Sequence, residues 1–103
     1  MKVRFTLPAL GDVEAIIEHV AQRSPSSADR IANRLSAIVE LIGAQPESGK
    51  RTGDPAIRQM NLTPYPYIVF YEVSAEEILI MAVRHGARDP ASMPGFRRGR
   101  TRK

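Results

Sequence analysis

The chain has 103 residues, 15 Lys and Arg against 11 Asp and Glu, and no cysteine. That length holds one hydrophobic core and not two, and the missing cysteines exclude disulfides and thiolate metal centres. With two histidines far apart, His19 and His85, neither a metal nor a cofactor is expected.

The formal charge of +4 is concentrated at one end. Residues 96–103 carry Arg97, Arg98, Arg100, Arg102 and Lys103 with no acid, so the other 95 residues sum to −1. Affinity for nucleic acid comes largely from neutralised phosphates, and a nearly neutral body lacks that excess. The tail reads either as a flexible solvated end or as a contact for a polyanionic partner. No stretch approaches the roughly 20 apolar residues of a membrane span, and the start, Met1 to Phe5, alternates charge with bulk. The chain is expected to be soluble and cytoplasmic, with no membrane partner.

In chain order, Val3, Phe5 and Leu7 alternate with Lys2, Arg4 and Thr6, the period of a half-buried strand. Pro8 suits a first helical turn, and Leu10, Val13, Ile17 and Val20 follow at helical spacing until Ser24-Pro25 ends the helix. Ser26 is the expected cap of a second helix, with Asp29 three residues on, an apolar face of Ile31, Leu35, Ile38 and Ile42, and Gly43 as its stop. Gln45 to Pro55, rich in Pro and Gly, reads as a loop with cations at Lys50-Arg51. Strand-like runs then cover Ile57–Leu62, Tyr67–Val73 and Ile78–Val83, the last two close enough to form a hairpin. Tyr67, Val69 and Tyr71 share one face of their strand, which fits packing under the helices better than base stacking. Met60 and Met81 read as core filler.

The order predicts an α+β domain, β-α-α-β-β-β, with a four-stranded antiparallel sheet covered on one face by the helical hairpin. Residues 1–95 read as the single domain and 96–103 as a basic, flexible tail.

Several short motifs stand in a fixed order along this pattern. They are Asp12-Val13-Glu14-Ala15-Ile16, Ser24-Pro25 with Ala28, Pro46 with Gly49, Ile57-Arg58, Tyr67 to Tyr71, Ile78 to Ile80, and His85-Gly86-Ala87-Arg88-Asp89. Together, from about Val3 to Asp89, the chain resembles the ParE/RelE superfamily of bacterial type II toxin–antitoxin toxins. The resemblance implies a cognate antitoxin, a hetero-oligomeric complex with it, and growth inhibition by one of two routes. ParE-like members poison DNA gyrase. RelE-like members cut messenger RNA on the ribosome.

Under the RelE alternative, Arg58, Arg84 and His85 occupy the positions of the catalytic cationic and imidazole groups. The aromatic expected soon after His85 is absent, the first being Phe96, and the lysine-rich loop is reduced to Lys50 and Arg51. These departures favour a ParE-like toxin that binds gyrase and is no enzyme, with Lys50, Arg51, Arg58, Arg84, His85 and Arg88 as target-binding residues. Bland readings stand beside these: His85 as a hydrogen-bonding strand end, Arg58 lying along the sheet, Arg88 and Asp89 fixing a turn. A third reading keeps the fold as a non-toxic scaffold that binds antitoxin.

Overall fold

Strand β1 (Lys2–Phe5) turns Val3 and Phe5 toward the core and leaves Lys2 and Arg4 exposed. The structure, a computed structural model, describes residues 1–87 and 94. The expected basic tail, Arg88 and Phe96 lie outside the described residues.

Thr6 ends the strand and starts the first helix in one step. Its hydroxyl oxygen accepts from the Ala9 N–H (3.2 Å), satisfying an orphan donor, and the hydroxyl itself donates to the Ile80 carbonyl (3.1 Å). Helix α1 (Leu7–Ala21) therefore begins one residue earlier than the alternation suggests, with Pro8 in the first turn as expected. Leu7 belongs to this helix and not to the half-buried strand; it is 82% exposed.

Helix α2 (Pro25–Ala44) corrects two expectations. Its cap is Ser24, whose oxygen accepts from the Ser27 N–H (3.2 Å), so Ser24-Pro25 opens this helix, and Ser26 lies inside it. The fixed φ of Pro25 suits a first turn and its missing N–H is not needed there. Gly43 is not the stop either, since the helix runs one residue further. A side chain at Gly43 would crowd the Met1 carbonyl and the Val3 side chain, each 3.2 Å from the position of a Cβ.

The expected loop from Gln45 to Pro55 contains a 3₁₀ turn, Pro46–Ser48, and a two-residue strand, β2 (Lys50–Arg51). Two residues are too few for any periodicity to show. Strands β3 (Ile57–Asn61), β4 (Tyr67–Val73) and β5 (Glu77–His85) follow as an antiparallel meander. The Thr63–Pro64 peptide between β3 and β4 is cis. The sheet has five strands, not four, in the order β1-β5-β4-β3-β2. It is mixed, because β1 pairs parallel with β5; β1 reaches that neighbour only through the helices and the meander, and such a long connection permits parallel pairing.

The helices cover one face. Ile31, Leu35, Ile38 and Ile42 of α2 meet Val69, Tyr71, Ile78, Ile80 and Val83 of the sheet, with Tyr67, Met60 and the α1 residues Val13, Ile17 and Val20 packed around them. Each fully buried large apolar side chain of this kind contributes roughly 1.5–3 kcal/mol. Tyr67, Val69 and Tyr71 thus pack under the helices, as their even spacing requires. Ile57, Phe70 and Ala82, with Ile68 and Met81, form a smaller cluster. A register shift between Phe70 and Tyr71 sets Phe70 opposite Ala82 and Tyr71 opposite Ile80, leaving Met81 as the extra residue of a bulge.

Candidate functional site

Tyr71 reaches from the middle of β4 to the segment before β2. Its hydroxyl donates to the Pro46 carbonyl (2.8 Å) and accepts from the Gly49 N–H (2.9 Å), while the residue is fully buried. Both lone backbone groups are thereby paired inside the protein, where leaving them bare is costly. The contact is possible only at a glycine: a Cβ on residue 49 would lie 2.5 Å from the tyrosine oxygen and 2.8 Å from the Gln59 carbonyl.

Arg58, opposite Tyr71 on β3, completes this latch. Its Nη1 donates to the Gly49 carbonyl (2.8 Å) and, more weakly, to the Glu47 carbonyl (3.4 Å). The latch fixes β2, whose Lys50 and Arg51 pair with Gln59 and Arg58 and are both exposed. Arg51 and Arg58 are direct cross-strand neighbours. Like charges so placed repel, and the backbone carbonyls around Arg58 offset that repulsion. Lys50, Arg51 and Arg58 therefore form one cationic edge.

Arg84 and His85 sit at the far end of β5. Across the sheet Arg84 is level with Ile68 and then Asn61, three residues along β3 from Arg58. Strand dimensions put Arg84 and Arg58 roughly 14 Å apart at the backbone. They also occupy opposite faces, since Arg58 shares a face with Tyr71 and Arg84 shares one with Ile68. The six residues expected to act together are thus divided: three at the β2 edge, two at the end of β5, and Arg88 outside the described residues.

The β5 end has its own local chemistry. Asp12, on α1, lies beyond the end of β1 and accepts from the Val83 N–H (2.9 Å), taking the place of a strand partner. The same oxygen lies 4.0 Å from Arg84 Nε, a buried atom with no hydrogen-bond partner among the described residues. His85 stacks edge-on against Tyr67, with ring centroids 5.5 Å apart, and its Nδ1 accepts from the Ala87 N–H (3.0 Å). In the neutral ring Nε2 therefore carries the proton, and the imidazole has one nitrogen committed to the turn.

Titration is displaced at a different place. The hydrogen bond and charge of Arg4 (2.9 Å) hold the Glu77 carboxyl below the usual range, and Glu77 raises Arg4 in return. This pair favours the fold above the ordinary carboxylate range, and the benefit is lost as pH falls through the lowered Glu77 value. Both groups are solvent-exposed, so the effect on stability is small. Among the described residues, no group of three His, Cys, Asp or Glu side chains could hold a metal ion. Among the described residues no helix is long and apolar enough to cross a membrane.

The family model described as the ParE toxin of the type II toxin–antitoxin system parDE matches residues 3–90. The chain belongs to the ParE toxin family. A toxin of Caulobacter vibrioides named RelE2 is 34% identical over 87 residues, covering 84% of this chain and 97% of its own. A solved structure titled as the chromosomal ParDE toxin–antitoxin system of P. aeruginosa shares the fold, with a TM-score of 0.70 at 23% identity, over 82% of this chain and 95% of that one. This ParE-family chain is a type II toxin, and its membership implies a cognate antitoxin.

Proposed function

We propose that this ParE-family toxin arrests growth by binding DNA gyrase in the cytoplasm, with no covalent chemistry of its own, until its antitoxin sequesters it. The observation that carries this reading is the division of the cations. Cutting RNA through the 2′-hydroxyl requires groups converging on one phosphate, and Arg58 lies on a different face from Arg84 with its guanidinium on backbone carbonyls. A docking surface has no such requirement for convergence. Lys50 and Arg51, rigidly presented at the sheet edge, are the first target contacts, and Arg84, His85 and Arg88 the second.

One observation favours the alternative, a ribosome-dependent messenger RNA endoribonuclease using Arg58, Arg84 and His85: the 34% identity to a toxin named RelE2. Expression without antitoxin separates the two. Gyrase binding is expected to produce arrest with an SOS response and intact transcripts, whereas cutting at ribosomal A-site codons would overturn it.

His85 provides a finer test. His85→Gln retains a hydrogen-bonding side chain but removes the ionisable ring, so a contact made through hydrogen bonding predicts toxicity largely retained in a growth assay. General acid or base function is worth about 10² to 10⁴ in rate, and its loss would abolish toxicity.

A further inference from the structure

A third cationic feature lies on α2 beside the β3–β4 connection. Arg30, Asn33, Arg34 and Ala37 of α2 and Thr63, Pro64 and Tyr65 of the β3–β4 connection line a shallow, open groove of about 390 Å³. No acid lines it. Among the described residues neither arginine has an ion pair. Both are nevertheless held: Arg34 Nε donates to the Thr63 carbonyl (2.8 Å), its two terminal nitrogens having no partner among the described residues, and Arg30 Nη2 donates to Ser27 Oγ (3.2 Å). A guanidinium oriented by one bond and free at its other nitrogens is arranged to take a carboxylate or a phosphate.

We infer that this groove receives an acidic segment of the cognate antitoxin carrying two carboxylates about 6 to 7 Å apart. The inference rests on the toxin–antitoxin reading and assigns it a recognition site. Arg30 and Arg34 stand four residues apart on the helix, about 6 Å along its axis, a spacing met by acids at i and i+4 of a helix or i and i+2 of a strand. Charge complementarity sets the sign of the occupant, and two features make it a peptide and not a nucleic acid. Ala37, Pro64 and Tyr65 line the groove along with the two arginines and offer apolar contact, which a peptide side chain uses and a phosphate group does not. The first 95 residues sum to −1, so the body supplies no general attraction for a long polyanion.

The test titrates the full chain with purified cognate antitoxin by calorimetry at low and high salt. The proteins compared are the unaltered chain, Arg30→Gln/Arg34→Gln and Arg30→Lys/Arg34→Lys. Glutamine retains hydrogen bonding near Ser27 and Thr63, and circular dichroism verifies that each variant is folded. Loss of two charge-assisted pairs is expected to weaken binding roughly 10- to 100-fold, with most of the salt dependence removed and the lysine protein in between. Unchanged affinity in a folded glutamine variant overturns the groove assignment while leaving the antitoxin reading intact. Failure of the unaltered chain to bind overturns that reading as well. A short single-stranded oligothymidine bound by the unaltered chain and lost by the glutamine variant overturns the peptide assignment in favour of phosphate.

Discussion

A Gly49→Ala protein is expected to lose roughly 3 kcal/mol of folding stability. The new Cβ would overlap the Tyr71 hydroxyl, its ring edge and the Gln59 carbonyl, at 2.5, 2.9 and 2.8 Å. Two of these belong to rigid groups: the ring of a fully buried residue and a carbonyl in the ladder. The backbone must therefore move, breaking the hydrogen bonds from Gly49 to Tyr71 and from Tyr71 to Pro46. In a domain of this size such a loss lowers the melting temperature by more than about 10 °C. Tyr71→Phe keeps the ring and leaves the Gly49 N–H and the Pro46 carbonyl unpaired, at a cost of about 1–3 kcal/mol. The two changes act on one contact, so the double variant is expected to cost clearly less than their sum. Thermal unfolding of the three proteins measures this, and additive losses would show that Tyr71 and Gly49 are not coupled.

The second large effect is at Asp12. Asp12→Ala leaves the nearly buried Val83 N–H without an acceptor and Arg84 without its neighbouring carboxylate, and is expected to cost about 2 kcal/mol. Asp12→Asn keeps an acceptor for Val83 and should cost less than half of that. Urea unfolding gives both values. Equal losses would assign the stabilisation to the charge facing Arg84 and not to the strand-edge hydrogen bond.

These two residues show what was legible in the sequence. The helices were, because Ile31, Leu35, Ile38 and Ile42 repeat at the helical period, and the burial of Tyr71 was, because its spacing from Val69 and Tyr67 is even. Both are local periodicities. The work of the Tyr71 hydroxyl was not legible, since its partners Gly49 and Pro46 are 22 and 25 residues away. Asp12, Pro46, Gly49 and Tyr71 all stand in the motifs that carry the family resemblance, which marks them without saying what they touch. The same limit applies to the sheet. Strand β2 is two residues long, and the parallel register of β1 with β5 spans more than 70 positions, so nothing near either segment signals its partner.

At the start of α2 the sequence pointed to Ser26 as the cap, and Pro25 in the first turn puts Ser24 there instead. At the candidate site, cation identity was legible and grouping was not. Arg58, Arg84 and His85 look equivalent as charged or polar strand residues, yet the register sends Arg58 toward the Tyr71 latch and sets the other two at the far end of β5.

The central claim is that this toxin acts by binding gyrase, and its most direct test uses purified components. Antitoxin-free toxin is mixed with DNA gyrase and supercoiled plasmid, and in parallel with a translating ribosome system charged with a defined messenger RNA. The account predicts inhibited supercoiling and accumulation of gyrase-linked cleaved plasmid, with the messenger RNA intact. Unaffected gyrase together with messenger RNA cut at the ribosomal A site would contradict it.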